Sequence, residues 1–179
     1  NMYNKKLDLS KIRFSYSDNK KGIRIPKFLT EELAEDIGIH IGDGSLHLCN
    51  AKKTSTQITF SSNTWERDYL DYVQSLKKKL YNLSKFRIYE KKNEVNMIFH
   101  SIAIATFYNS VFNLPIGKKD EVDIPCIIKK NQNKKIIISF LRGLVDTDFG
   151  LILRNKNNKI YPSLECVSKS KKLILSLSY

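Results

Sequence analysis

Cysteine and histidine are scarce in this chain, long apolar runs are missing, and acidic residues are few beside basic ones. Cys49, Cys126 and Cys166 are an odd number at wide spacing, which makes neither a disulfide framework nor a zinc-ligand pattern. A reducing compartment is the simplest inference, so an intracellular, cytoplasmic chain is expected. His40, His47 and His100 have no ligand spacing with any acid pair, and His40, inside a predicted helix, is expected to pack or face solvent. No apolar run approaches the roughly 20 residues that cross a bilayer, and the N-terminus has no apolar signal region. A membrane is therefore not the expected partner.

The shortage of acids has the larger consequence. Against 31 Lys and Arg stand 18 Asp and Glu, a net charge of +13 and a pI near 9.6. Such an excess identifies partners rather than folds: a polyanion, and with no membrane signal, nucleic acid. With 179 residues, 41% of them hydrophobic, the chain can bury the core of one domain or of two small lobes.

What is present is a repeat. Leu33 to Leu46 reads LAEDIGIHIGDGSL, and its apolar positions Leu33, Ile37 and Ile41 follow helical spacing behind Thr30 as N-cap. Gly38 and Gly42 lie a turn apart on one side. Two helical glycines cost roughly 1 kcal/mol each against alanine, so the backbone must come close to something there. Ile136 to Leu151 reads IIISFLRGLVDTDFGL, and setting Gly143 under Gly38 puts Thr147 under Gly42 and Asp148 under Asp43. Each acid is followed by strand-like runs and then a helix start, so the chain is two related units, the second shorter. A Gly-Asp-Gly alone is an ordinary turn; a matching acid at the end of a second helix favours function. Asp146 has only Ile41 as its counterpart and reads as helix-end capping or solvent contact.

The IGIHIGDGSL and FLRGLVDTD pair resembles the two motifs of the LAGLIDADG homing endonucleases in their single-chain form. The resemblance extends over most of the chain from Ile25 onward. It implies two motif helices packed through Gly38, Gly42, Gly143 and Thr147, with Asp43 and Asp148 as the catalytic, metal-binding acids at the base of a DNA-binding saddle. The carbonyls of Gly42 and Thr147 would help hold the metal. Phe149 departs from the pattern, standing where glycine is expected.

The rest of the chain reads as α+β. Residues 1–27 form a basic N-terminal arm, either touching phosphates or mobile. Residues 28–112 follow the order αββαββα: a first hairpin over Ser45 to Cys49 and Thr54 to Ser61, a helix from Thr64 to Leu83 capped by Asn63, a second hairpin around Lys91 and Lys92, and a closing helix from Ile102 to Val111. Trp65, Tyr69 and Tyr72 are expected in the core. Alternation in the first hairpin puts Ser55, Gln57 and Thr59 on one face and Ile58 and Phe60 on the other. A polar face with Lys52 and Lys53 at its tip suits a β-ribbon in a major groove. Residues 113–134 have linker composition, with Pro115, Gly117, Pro125 and the acids Asp120, Glu121 and Asp123, expected to be solvated. Residues 135–179 are the partial second repeat, where Arg154, Lys156 and Lys159 extend the DNA-binding set. Its last apolar residues, Leu173, Ile174, Leu175 and Leu177, lack expected partners.

Hydrolysis of a phosphodiester needs charge neutralised on phosphate, an activated water and a stabilised leaving oxygen. Hard cations such as Mg²⁺ or Mn²⁺ on carboxylates supply these. Lys156 or Lys169, and Ser61 or Gln57, are candidates to assist. The expectation is a metal-dependent double-stranded DNA endonuclease, a monomer with an internal pseudo-twofold, with dimerisation open because the second repeat is short. A non-cutting DNA-binding remnant and an RNA-binding maturase are the alternatives.

Overall fold

The computed structural model describes residues 5–49, 56–156 and 158–178. Its class is α+β: seven helices with a four-stranded and a two-stranded sheet among the described residues, all pairings antiparallel. Lys52, Lys53 and Ser55 lie outside the described residues.

The first motif is helix α2, Glu31–Gly42, which follows α1, Tyr16–Lys20. Thr30 caps α2 by accepting from the Leu33 N–H at 3.2 Å, and Asp43 closes it with its own N–H on the Ile39 carbonyl. Strands β1, Gly44–Leu48, and β2, Thr56–Asn63, come next, then α3, Arg67–Tyr81. Strands β3, Arg87–Lys91, and β4, Glu94–His100, make a hairpin whose turn has Lys92 at φ 51°, and α4, Ile102–Phe112, ends the unit. The order from α2 to α4 is the αββαββα order expected for residues 28–112. The sheet runs β1-β2-β4-β3. One face carries Leu46, Ile58, Phe60, Val95, Met97 and Phe99 into the core, each at most 3% exposed. The other face presents polar side chains.

Three expectations for this half are corrected. Helix α3 begins at Arg67 rather than Thr64, because the Glu66 carboxylate accepts from the Asn63 N–H and the Ser62 hydroxyl, holding residues 63–66 in a turn. Trp65 precedes the helix and is 69% exposed, and Tyr72 is also exposed; neither belongs to the core. The mobile reading of the basic arm gives way to an anchored one: Leu7 and Ile23 are buried, Ser15 and Asp18 form a capping box on α1, and Asp18 Oδ2 also accepts from the Ala103 N–H.

Beneath α2 lies a buried polar network that periodicity cannot reveal. Asp36, fully buried, accepts from Lys77 Nζ at 2.7 Å, Tyr81 OH at 2.6 Å and Tyr108 OH at 2.5 Å. The His40 ring lies on Tyr108, centroids 4.6 Å apart, and burial holds His40 well below its usual pKa, hence neutral. Removing one partner of a buried ion pair strands the other charge. Lys77→Met is therefore expected to destabilise the fold by about 3 kcal/mol, whereas a surface change such as Lys78→Met should cost well under about 1 kcal/mol. Equal urea midpoints for the two variants would contradict the network's role.

The linker carries a short helix, α5, Cys126–Lys129, with Leu114, Val122 and Ile128 buried in the core. Helix α6, Lys134–Asp148, is the second motif, capped by Asn133. Strands β5, Phe149–Lys156, and β6, Lys159–Cys166, and helix α7, Lys171–Leu177, complete the order. Helix α7 is covered on one side only, Ile174 and Leu175 staying exposed as its sequence suggests. Leu173 is 1% exposed, and Ser170 caps the helix while donating to the Val122 carbonyl at 2.5 Å. More uncovered apolar surface lies on the hairpin. Leu151 pairs with Leu164 as Leu46 pairs with Ile58, yet the former two are 67% and 61% exposed and the latter 1% each.

Candidate functional site

Helices α2 and α6 pack along their glycines with a twofold logic that the numbering exposes. A methyl added at Gly38 would run into the Phe140 carbonyl and stand 2.9 Å from the Leu144 nitrogen; one at Gly143 would run into the Glu35 carbonyl and stand 3.0 Å from the Ile39 nitrogen. Phe140 and Leu144 are 105 positions after Glu35 and Ile39, the separation of Gly143 from Gly38 and of Asp148 from Asp43. Each helix thus meets the other through equivalent atoms. One turn on, a methyl at Gly42 would enter the Thr147 side chain, its own equivalent.

Phe149 is explained at the same level. Its equivalent, Gly44, is kept small by the His40 ring, which fills the space a Cβ would take. The residue equivalent to His40 is Val145, smaller and unable to fill that space, so the second copy has room for a side chain where the first has none.

The seam ends in the two acids. Asp43 and Asp148 close α2 and α6, at C-termini where helix dipoles already concentrate negative charge. Burial, then the Asp148 charge, push the Asp43 carboxyl up to about 7, with Lys119 pulling the other way. Burial also raises Asp148 against the pull of Lys119. Lys119, from the linker, is a site residue that sequence reasoning missed. Its ammonium donates to the Ile41 carbonyl at 2.7 Å and to the Gly42 carbonyl, and burial lowers its pKa against the pull of both acids. The linker reaches this point because the Gly117 N–H donates to the Leu46 carbonyl at 2.8 Å, with Gly117 at φ +96°. A cavity of about 420 Å³ opens here, bounded by Gly42, Lys118, Lys119, Asp148, Ser168 and Lys169 among others.

Of the two candidate assisting lysines, Lys169 lines this cavity and Lys156 stands at the far end of β5. Ser61 is close by main chain, its N–H donating to the Asp43 carbonyl at 3.1 Å, while its hydroxyl donates to Asn96 at 2.7 Å. The Thr147 hydroxyl gives its proton to the Gly143 and Leu144 carbonyls, and the main-chain carbonyl of Thr147 is the atom expected to face a cation. Among the described residues no three His, Cys, Asp or Glu side chains gather as a metal site. The expected Gly42 carbonyl already accepts from the Lys119 ammonium, so the groups that could hold a cation are the two carboxylates and the Thr147 carbonyl, hard oxygens that suit Mg²⁺ or Mn²⁺ rather than a softer ion.

The polar sheet face flanks the acids. Thr59 aligns with Ile98 and Arg87 across the strands, Ser61 with Asn96 and Tyr89, and Asn63 with Glu94 and Lys91. Gln57 donates to Thr59 at 3.1 Å; Thr59, only 8% exposed, supports its neighbours more than it offers itself to a ligand. Lys91, Lys92, Lys156 and Lys159 are exposed at hairpin ends, and Arg154 is ion-paired with Glu165. Asp120 is exposed, and Glu121, equally exposed, pairs with Lys172 at 2.6 Å. No helix among the described residues is long and apolar enough to cross a membrane.

The raised Asp43 carboxyl has a measurable consequence. Folded Asp43 keeps its proton to about pH 7, whereas an unfolded aspartate loses it near pH ~4. Between those values the folded chain binds more protons, so its stability falls as pH rises through that window. Buried, neutral His40 acts in the opposite sense over the same window, so the Asp43 contribution is read as a difference: the metal-free melting temperature of the wild type relative to Asp43→Asn is expected to fall from about pH 5 to about pH 8, and that fall to shrink with Mg²⁺ added. An Asp43→Asn profile superimposable on the wild type would contradict a raised carboxyl.

No protein-family model matches the chain, and no curated protein is similar to it.

Proposed function

We propose that the chain is a metal-dependent endonuclease of double-stranded DNA, of the LAGLIDADG homing-endonuclease kind, with Asp43 and Asp148 as its catalytic acids. The observation that carries this reading is a charge deficit. Two part-buried carboxylates, both raised in pKa, lie at two helix C-termini; Lys118 and Lys169 also line the cavity, but among the described residues Lys119 is the ammonium whose charge acts on both acids. Nothing in packing requires that arrangement, and a purely structural seam would favour neutral residues there. A divalent cation on the carboxylates would supply charge neutralisation at phosphate and a more acidic water.

The chain's own groups do the rest. Asp43 and Asp148 hold charge at the floor of the site, one from each motif helix, each suited to one strand of the duplex. Lys119 keeps a positive charge on the cavity wall, able to offset charge on phosphate or to orient water. The glycine seam fixes the separation of the acids, since neither helix can slide without a backbone clash. Outside the site, the polar sheet face and the lysines at the hairpin ends are suited to meet backbone and base edges, with a net charge of +13 behind them.

Binding is tested by salt. Affinity for duplex DNA should fall linearly on logarithmic axes as salt rises, each neutralised phosphate contributing a slope of about 0.9. Replacing Lys91 and Lys92, or Lys52 and Lys53, by alanine should flatten the slope by about 0.9 for each phosphate that is no longer neutralised. Salt-independent binding, or a clear preference for RNA, would favour the maturase reading. A chain that binds duplex tightly but never cuts would be the inactive remnant, a reading that the exposed Leu151 and Leu164 on β5–β6 favour.

A further inference from the structure

The two helix ends of the site are equivalent by sequence and unequal in their surroundings. Gly42 and Thr147, 105 positions apart, each precede one of the two acids, so their carbonyls are equivalent atoms. The Gly42 carbonyl accepts from the Lys119 ammonium, which also donates to the Ile41 carbonyl at 2.7 Å. Both bonds go to α2. Among the described residues neither acid forms an ion pair with this ammonium, so it sits on carbonyl oxygens rather than bridging the carboxylates. The cavity repeats the inequality: Asp148 is on its wall and Asp43 is not, while Gly42 is there with Lys119 bonded to it.

The chain around Lys119 is tied down on both sides. Before it, the Gly117 N–H donates to the Leu46 carbonyl at 2.8 Å; after it, Val122, 4% exposed, donates its N–H to the Lys119 carbonyl at 3.2 Å and accepts from the Ser170 hydroxyl at 2.5 Å. The side chain is thus fixed at its root and can move only along its own flexible stem. A helix C-terminus attracts cations of either kind, because its last carbonyls lack intrahelical partners and carry the negative end of the dipole. A lysine can fill the place that a hard divalent cation would also seek.

We propose that Lys119 is a resident counter-cation of the Asp43 half, its ammonium filling the carbonyl end of α2 that a divalent cation would otherwise take, so that the first cation binds on the Asp148 side. The inference rests on the cation site of the nuclease reading above. It divides two acids that the repeated motif makes equal. Asp148, on the cavity wall and next to the Thr147 carbonyl, receives the tight cation; Asp43 receives one weakly, once the Lys119 stem swings off the Gly42 carbonyl. A lysine that only caps α2 would add stability without making the two halves differ in cation affinity.

Mn²⁺ bound by the DNA-free chain, counted by electron paramagnetic resonance at neutral pH, reads this without any cleavage. The wild type is expected to bind one Mn²⁺ at least about tenfold more tightly than a second, because a like charge beside a site and the loss of one oxygen ligand both weaken it. Asp148→Asn should remove the tight site, and Asp43→Asn should leave it within about threefold. Lys119→Met should bring the second affinity to within about threefold of the first, with Lys119→Gln taking its place if the methionine variant does not fold. Lys118→Met removes a charge from the same cavity wall without freeing a carbonyl, so it should shift both affinities together and keep the gap. Two equal sites in the wild type overturn the inference and leave the nuclease reading intact, as does a single site lost alike in Asp43→Asn and Asp148→Asn, which is one cation shared by both acids. A gap unchanged in the folded Lys119 variant overturns it too, by showing a capping lysine. No Mn²⁺ bound by the wild type or the Lys119 variant also overturns it, while the nuclease reading stands or falls separately on plasmid cleavage.

Discussion

Asparagine at Asp43 or at Asp148 is expected to slow Mg²⁺-dependent strand cleavage by about a thousandfold or more, close to ~4 kcal/mol of barrier at about 1.4 kcal/mol per factor of ten. The amide keeps the shape of the side chain and removes the charge that holds a hard cation. Affinity for duplex DNA should change little, or tighten slightly as negative charge leaves the floor of the site, because binding is carried by the basic surface. Ca²⁺ should support binding without turnover, being larger and tolerant of looser geometry. Either variant cleaving at near wild-type rate would remove that acid from the site.

The largest effect on stability is expected at the glycine seam. A side chain at Gly38 meets the Phe140 carbonyl and the Leu144 nitrogen, both main-chain atoms of α6, so no rotamer change can relieve it. Overpacking a core commonly costs about 1–3 kcal/mol, and more where the obstruction is backbone. Gly38→Leu is expected to cost above roughly 4 kcal/mol, enough to unfold a marginal domain, and Gly143→Leu the same by the pseudo-symmetry. Gly150, with nothing within 4 Å of an added methyl, is the control, and Gly150→Ala should melt with the wild type. Equal melting of Gly38→Leu and Gly150→Ala would rule out close packing through the seam.

The motif helices are legible in the sequence because their information is local and repeated. Small residues at Gly38, Gly42 and Gly143, a cap at Thr30 and an acid at each end are visible within a few turns, and the structure places the glycines along one seam that ends in the acids. The succession of helices and hairpins in the first unit is legible for the same reason, from alternation and turn residues; the pairing of β2 with β4 that joins the hairpins is not. What cannot be read depends on distance through space. Asp36 meets Lys77, Tyr81 and Tyr108 across 41, 45 and 72 positions, and no periodicity connects them. Lys119 sits in linker composition and matters only because Gly117 is tied to β1. Its one signal is a lysine pair immediately after the glycine, which resembles any solvated run. Trp65 misleads because helical spacing carries back through residues that Glu66 holds in a turn.

Whether two equivalent acids, brought together by a glycine seam, make one cation-dependent site for cutting DNA is tested most directly by plasmid cleavage in Mg²⁺ or Mn²⁺. The wild type is compared with the Asp43→Asn, Asp148→Asn double variant, both shown to be folded and to bind duplex equally. Nicked or linear product from the wild type alone is the predicted result. The same product, at the same rate, from the double variant would contradict it.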